Sequence, residues 1–133
     1  MLKFLLDTNI AIYVIKQRPM AALETFNKHH GRMALSSITL AELVHGAEKS
    51  LFPERNLAVV ENFCSRLHIL SYDAAAAYHY GSIRAALEQS GQPIGVNDLH
   101  IAAHARSHGL VLVSNNLREF ERVPGLLLEN WAA

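Results

Sequence analysis

Short apolar runs alternate along this chain with longer stretches in which apolar residues recur at helical spacing. The short runs are apolar throughout, as in strands that are buried on both faces of a sheet. Strands that alternate with helices favour a parallel sheet. The sequence therefore predicts the α/β class, with a central, mainly parallel β-sheet flanked by helices on both faces.

Residues that favour helix ends set the predicted boundaries. The first helix has to stop before Pro19, because the residue preceding a proline disfavours helical backbone. Ser36 or Ser37 and Asp73 are natural N-caps, and Gly109 suits a helix C-terminus. Predicted strands cover residues 3–7, 33–36, 68–70, 110–114 and the neighbourhood of 126–128. Predicted helices cover residues 8–16, 20–30, 37–50, 53–67, 74–89 and 97–108.

Length and composition indicate the broad class of protein. With 133 residues, half of them apolar, the chain can bury a sizeable core, and we expect residues 1–133 to form a single domain. The sequence has no run of about 18 apolar residues that would predict a membrane span. Lys3 interrupts the apolar N-terminus too early for a signal peptide. The single cysteine, Cys64, cannot form an internal disulfide and fits a reducing compartment. We therefore expect a soluble, cytoplasmic protein.

The charge balance argues mildly against a nucleic-acid partner. Twelve basic and twelve acidic residues cancel, so no global field attracts a polyanion. A nucleic-acid substrate would have to be held by local basic residues, by a dimer surface or by cations at the site.

Three acidic residues lie at positions where predicted strands end or predicted helices begin and turn. Asp7 follows the first apolar strand, Glu42 lies in the helix after the second, and Asp98 opens a later helix. In parallel sheets, ligands bind beyond the carboxyl ends of the strands, and Asp7 and Ser114 both follow strand ends. Three converging carboxylates repel one another, and a divalent cation relieves that repulsion. The pattern indicates a metal-dependent enzyme that acts on phosphate.

Each acid also has a simpler interpretation. Asp7 is a candidate N-cap, and Asp98 is favoured in a first helical turn by the helix dipole. Glu42 lies about 100–200° around its helix from the apolar stripe, so it could be an ordinary surface glutamate. That stripe comprises Leu40, Leu43, Val44 and Ala47, whereas Ile38, Thr39 and Gly46 share the edge of Glu42. The joint placement of the three acids favours a common site only moderately.

Four segments resemble the ordered motifs of PIN-domain nucleases. The first comprises residues 1–10 and contains Asp7-Thr8-Asn9, and the second comprises residues 36–43 and contains Glu42. The third, residues 94–105, contains Asp98, and the fourth covers residues 113–125. Together with residues 46–50, they closely resemble the VapC toxins of bacterial type II toxin–antitoxin systems. The similarity runs essentially from end to end and preserves the order and spacing of the motifs.

The resemblance implies an endoribonuclease that depends on Mg²⁺ or Mn²⁺. Asp7, Glu42 and Asp98 match the acidic metal site of the family. Where the fourth motif often has an aspartate, this chain has Asn116, which can offer an oxygen ligand but no charge. Asn116 is therefore the expected fourth catalytic residue, unless Glu119 takes its place. Ser114 either orients a water or a carboxylate or simply bonds backbone at the strand end.

The resemblance also implies partners. A VapB-like antitoxin would occupy the site, and the toxin would form a homodimer within a larger complex. Apolar faces at Ala11, Ile12 and Ile15, and in residues 52–63, would supply either dimer surface or ordinary core. The implied substrate is an RNA of the translation apparatus, with a tRNA anticodon stem-loop, in particular that of initiator tRNA, as the leading target and the sarcin–ricin loop as the alternative.

Other functions remain open at this stage. A PIN nuclease can work in RNA processing outside toxin systems, or on DNA. A non-catalytic signalling domain that binds Mg²⁺ is a weaker alternative, because receivers usually carry paired acids after the first strand and a lysine after the last. This chain has only Asp7 there, and Asn116 has no lysine nearby. His100, His104 and His108 recur at four-residue spacing, but they lack accompanying ligands, and we expect surface histidines rather than a zinc site.

Overall fold

A computed structural model describes residues 1–132 and confirms the predicted fold class. The strands are β1 (Phe4–Leu6), β2 (Met33–Ser36), β3 (His68–Leu70), β4 (Val111–Val113) and β5 (Leu127–Glu129). The helices are α1 (Thr8–Lys16), α2 (Met20–Lys28), α3 (Ser37–Glu48), α4 (Pro53–Cys64), α5 (Ala74–Gln89), α6 (Val96–Ser107) and α7 (Leu117–Phe120).

All strand pairs of the sheet are parallel, in the order β3-β2-β1-β4-β5. Strand β1 lies at the centre, where Leu6 is in register with Leu35 of β2 and Val113 of β4. The carboxyl ends of β1, β2 and β4 therefore meet at one edge. The residues that follow them, at positions 7, 37 and 114, begin the segments that carry the candidate site.

Helices cover both faces of the sheet, and successive residues of β1 point to opposite sides. Phe4 and Leu6 pack into one core with side chains of α1, α2 and α4. Leu5 packs into the other core with side chains of α5 and α6. Helix α3 lies between the two, because Leu43 joins the first core and Ile38 the second. This double burial explains why the strands are apolar throughout.

Most predicted boundaries are correct to within a few residues. Asp73 and Ser36 are the observed N-caps of α5 and α3, and Gly109 has a φ of +64° just after α6. The prediction overextended α4, which ends at Cys64 because a tight turn through residues 65–67 precedes β3. Helix α7 was not predicted, since four residues carry too little periodicity to identify a helix.

The fold also bears on the candidate dimer surface and on membrane crossing. Of the apolar residues considered for a dimer surface, Ala11 and Phe63 are core, Ile12 and Ile15 are half-buried against that core, and Phe52 is exposed. Across the described residues, no helix has both the length and the apolarity that a membrane crossing requires.

Candidate active site

Asp7 lies at the centre of the acidic edge and is nearly fully buried, with 4% of its surface exposed. It caps α1, because its Oδ1 accepts a hydrogen bond of 2.8 Å from the backbone N–H of Ile10. Burial raises the pKa of Asp7, and the nearby charge of Glu42 raises it further, although contacts with Ser114 and Ile10 act in the opposite direction. The capping role and the site role are thus combined in one carboxylate.

Glu42 is half-buried on α3 and is held by the segment that follows β1. The hydroxyl of Thr8 donates a 2.7 Å hydrogen bond to Glu42 Oε1 and lies 3.4 Å from the hydroxyl of buried Thr39. A glutamate with free rotamers would lose side-chain entropy on binding a ligand. The Thr8 contact therefore keeps the Glu42 carboxylate next to Asp7.

Asp98 lies in the first turn of α6 and is also half-buried. Its pKa is raised to about 7, first by burial, then by a hydrogen bond with Glu119 and by the charges of Glu119, Asp7 and Glu42. Asp98 therefore lies among other carboxylates that disfavour its own charged form.

The fourth motif contributes Glu119 directly and Asn116 indirectly. Helix α7 places Glu119 against Asp98, and the side-chain amide of Asn116 donates a 3.1 Å hydrogen bond to Glu119 Oε2. The backbone N–H of Asn116 in turn donates to Ser114 Oγ over 2.9 Å. Asn116, the expected fourth catalytic residue, thus hydrogen-bonds Glu119, and the catalytic role of either residue stays a prediction.

These four acids face no compensating cation. In residues 1–132 the only ion pair joins Arg84 and Glu88, 3.3 Å apart and exposed on α5. Carboxylates that are partly buried without a counter-charge are costly. Their oxygens are the hard ligands that Mg²⁺ and Mn²⁺ prefer, so the donor set fits a divalent ion.

The present side-chain positions do not yet form a complete coordination shell. No group of three His, Cys, Asp or Glu side chains between residues 1 and 132 is arranged to hold a metal ion as it stands. One Glu42 oxygen accepts the Thr8 hydrogen bond, and a pKa of about 7 leaves Asp98 partly protonated at neutral pH. A bound cation would therefore require Asp98 to be deprotonated and side chains at this edge to rotate.

Comparison with known proteins identifies the family. The model of the PIN domain matches residues 4–126. Ribonuclease VapC2 of Haemophilus influenzae is 63% identical over 131 residues, which cover 98% of this chain and 99% of the relative. This chain belongs to the VapC group of the PIN-domain family.

Other relatives agree in sequence and in structure. The tRNA(fMet)-specific endonuclease VapC of Shigella flexneri is 59% identical over 99% of this chain and its own full length. The crystal structure of DNA-bound VapBC from Salmonella typhimurium superposes with a TM-score of 0.94 at 60% identity, covering 98% of this chain and 99% of that one. VapBC2 from Rickettsia felis, bound to a promoter DNA fragment, gives a TM-score of 0.92 at 42% identity, with 98% and 99% covered.

The histidines of this PIN domain depart from the sequence expectation. His104 is fully buried, and its Nδ1 shares a 2.7 Å hydrogen bond with Ser36 Oγ. His100 is half-buried, stacks on Tyr80 with ring centres 4.3 Å apart, and hydrogen-bonds the Tyr72 hydroxyl over 2.8 Å. Of His100, His104 and His108, only His108 is exposed, as expected. The prediction of surface histidines was wrong because α6 is covered on most of its circumference.

Two supporting residues of the site were not assigned roles from sequence. Thr8 follows Asp7 directly, and Thr39 lies three residues before Glu42. Hydroxyl residues next to candidate acids are a weak signal, because serine and threonine are common at any helix start. Their role becomes evident only when α1 and α3 are brought together.

Proposed function

We propose that this chain is the toxin of a toxin–antitoxin system, a metal-dependent endoribonuclease that hydrolyses phosphodiester bonds in a structured RNA and thereby inhibits translation and growth. The relatives named as VapC ribonucleases and tRNA(fMet)-specific endonucleases support this assignment. The proposal takes residues 1–133 as one nuclease domain.

The observation that carries the proposal is the convergence of Asp7, Glu42, Asp98 and Glu119 without a positive partner. Burial and mutual repulsion raise the pKa of both Asp7 and Asp98. A purely structural cluster would be more stable with amides in place of the acids. Carboxylates without a counter-charge, at the carboxyl edge of a parallel sheet, are expected at a functional site.

The residues proposed to hold the ion are Asp7 and Asp98, with Glu42 as a further ligand. PIN-domain nucleases generally use divalent metal ions, and Mg²⁺ or Mn²⁺ suits this oxygen set. When bound, such an ion supplies the positive charge that lowers the pKa of an attacking water and shields the scissile phosphate.

The protein's own groups prepare the site. The Ile10 N–H holds Asp7 in place, and the Thr8 hydroxyl fixes one oxygen of Glu42, so that both carboxylates need little reorganisation. Ligand carboxyls must be deprotonated, so Asp98, whose pKa is raised to about 7, would lose its proton when a cation binds. The Asn116 amide then keeps Glu119 oriented.

The proposed substrate is the anticodon stem-loop of a tRNA, with initiator tRNA as the leading candidate. Relatives named for tRNA(fMet) share 59–60% of their residues with this chain. Proteins recognise RNA sequence mainly in loops, where bases are unstacked and accessible. Because this chain has no net charge, its RNA contacts depend on local groups and on the ion. A tRNA substrate places the protein in the cytoplasm.

The proposed partner is a VapB-like antitoxin, as in the solved VapBC complexes. A groove of about 410 Å³ lies between α1, α3 and α4 and opens beside Glu42. Its lining is mostly apolar and includes Ile12, Ile15, Leu43, Val59 and Val60. An antitoxin segment in this groove would bury apolar surface and reach the acidic edge, within an assembly that contains a toxin homodimer.

The test compares purified protein with an Asp7→Ala variant on total bacterial RNA, with Mg²⁺ or EDTA, and maps the cut ends by sequencing. We expect discrete cuts in a tRNA anticodon loop that are lost with EDTA and in the variant. Since loss of a helix cap costs only about 0.5–2 kcal/mol, the variant should remain folded. Cleavage that persists in folded Asp7→Ala protein would contradict the mechanism.

A further inference from the structure

His104 is a fully buried histidine that the proposed reaction does not use. It lies on α6, six residues after Asp98. Burial, and then the nearby His108, lowers the pKa of His104, so the ring is neutral at neutral pH. Its Nε2 makes no hydrogen bond to any described residue. The nearby Ser71 backbone acts to raise the pKa of the ring, but less than burial and His108 lower it. The ring is thus held by one hydrogen bond, that with Ser36.

Ser36 is the last residue of β2 and the N-cap of α3, and it is fully buried. Its Oγ accepts a 3.1 Å hydrogen bond from the N–H of Ile38 and lies 2.7 Å from His104 Nδ1. The hydroxyl makes both hydrogen bonds when its oxygen accepts from the Ile38 N–H and its O–H donates to His104 Nδ1. This bond joins the start of α3 to the last turn of α6.

The two helices joined in this way carry two of the site's acids. Glu42 lies six residues beyond Ser36 on α3, and Asp98 lies six residues before His104 on α6. Because helices are stiff over such distances, a shift at the Ser36–His104 contact would displace one carboxylate relative to the other. The contact therefore links the position of Glu42 to that of Asp98.

The surroundings of His104 keep water out and reinforce this contact. The Tyr72 ring packs edge-on against His104, with ring centres 5.4 Å apart, and the Tyr72 N–H donates to Ser37 Oγ over 3.0 Å. An apolar side chain would fill this position without leaving a buried nitrogen unpaired, which costs about 1–3 kcal/mol. The unpaired Nε2 is a cost that an apolar residue would avoid, and this favours a geometric role for the hydrogen bond at Nδ1.

We propose that His104 is a positioning residue for RNA cleavage, which holds the Asp98 helix against the Glu42 helix through its hydrogen bond with Ser36. It touches neither RNA nor the cation. This inference rests on the proposed nuclease function, and its experiment separates the two.

The first part of the experiment measures RNA cleavage by His104→Leu and His104→Asn proteins. We expect His104→Leu to lower kcat by about tenfold or more while KM stays within about twofold, because small misplacements of reacting groups reduce rate rather than binding. His104→Asn should recover most of the rate, since its amide oxygen can accept the Ser36 hydrogen bond. The matched control is His108→Leu, an exposed residue of the same helix region whose ring lies 5.4 Å from His104.

The second part tests the partner residue. Ser36→Ala should reproduce the loss of kcat, and adding His104→Leu to it should cause little further loss, because both changes remove the same bond. If His104→Leu does not fold, the kcat of Ser36→Ala alone tests whether the Ser36–His104 hydrogen bond supports cleavage. Additive losses would overturn the proposal, as would a His104→Asn protein as slow as His104→Leu.

The third part measures Mn²⁺ affinity by calorimetry without RNA. We expect His104→Leu to weaken Mn²⁺ binding severalfold and His108→Leu to leave it unchanged. Equal affinities of wild type and folded His104→Leu, together with equal kcat, would overturn the positioning role. If wild-type protein cleaves no RNA, the proposed function is wrong, and the Mn²⁺ affinities alone then support or overturn the role of His104.

Discussion

Helix α6 carries two polar side chains, Asp98 and His104, that the fold surrounds in opposite ways. His104 is neutral and fully enclosed, with a hydrogen bond to Ser36. Asp98 is half-buried beside Glu119, Asp7 and Glu42, all carboxylic acids, and its pKa rises to about 7. The hydrogen bond between His104 and Ser36 links two helices, whereas a cluster of like charges destabilises the fold. The comparison distinguishes the end of α6 proposed to react from the end proposed to position it.

The largest expected effect comes from replacing the acid at the reactive end. Asp98→Asn removes a ligand charge, and we expect RNA cleavage to fall at least about 10²–10³-fold, as when other transition-state charge contacts are lost. In EDTA at pH 8, the same variant should melt at a higher temperature than wild type, because one repelling charge is gone. Cleavage rates and thermal melts of the two proteins check both parts. A variant that is both inactive and less stable would contradict the interpretation of Asp98 as a destabilising charge.

The next effect distinguishes Glu119 from Asn116. Glu119 lies close enough to Asp98 to raise its pKa, whereas Asn116 hydrogen-bonds Glu119. We expect Glu119→Gln to lower the cleavage rate about 10–100-fold and Asn116→Ala to lower it less, in line with outer contacts of metal sites. Rates at saturating Mn²⁺ compare the two. A larger loss in Asn116→Ala would reverse the assignment.

A smaller effect is expected at Thr8, which orients Glu42 through a 2.7 Å hydrogen bond. Thr8→Val keeps the shape of the side chain but removes the hydroxyl, and it should reduce the cleavage rate about tenfold. Thr8→Ser retains the hydroxyl and serves as the matched control, with nearly full activity. If Thr8→Val and Thr8→Ser cleave equally well, the hydroxyl does not orient Glu42.

The smallest effect is a pH dependence of stability without metal. The pKa of Asp98 is about 7 in the folded protein and 3.8 in the unfolded chain, so the folded state binds the proton more tightly. The stability that the protonated Asp98 contributes is fully present below about pH 4 and is lost as the pH rises through 7. The lowered pKa values of His100 and His104 act in the opposite direction. The difference in melting temperature between wild type and Asp98→Asn, measured in EDTA from pH 5.5 to 8, should therefore grow with pH. A constant difference would contradict the raised pKa.

The sequence was sufficient to predict the fold and three of the acids. Continuous apolar strands between helices specify a parallel sheet, and a parallel sheet brings the ends of β1 and β4 to one edge. Asp7 and Asp98 adjoin predicted element ends, so their proximity follows from topology. Their assignment as catalytic and metal-binding residues, with Glu42, stays a prediction.

The fourth acid and the buried histidine could not be predicted with the same confidence. Glu119 reaches Asp98 only because α7 turns it inward, and a helix of four residues leaves no clear pattern in sequence. His104 looked exposed because it lies far around α6 from Asp98. That argument fails for a helix buried on most sides, where five consecutive residues from Ile101 to Ala105 are all buried.

The most direct test of the central claim is anomalous diffraction from crystals of this protein grown with Mn²⁺. The account predicts an anomalous peak between Asp7 and Asp98, with Glu42 or Glu119 turned toward it, and no such peak in crystals of Asp98→Asn. Crystals with saturating Mn²⁺ and an ordered acidic edge, but without a peak there, would contradict the claim that these carboxylates form a metal site.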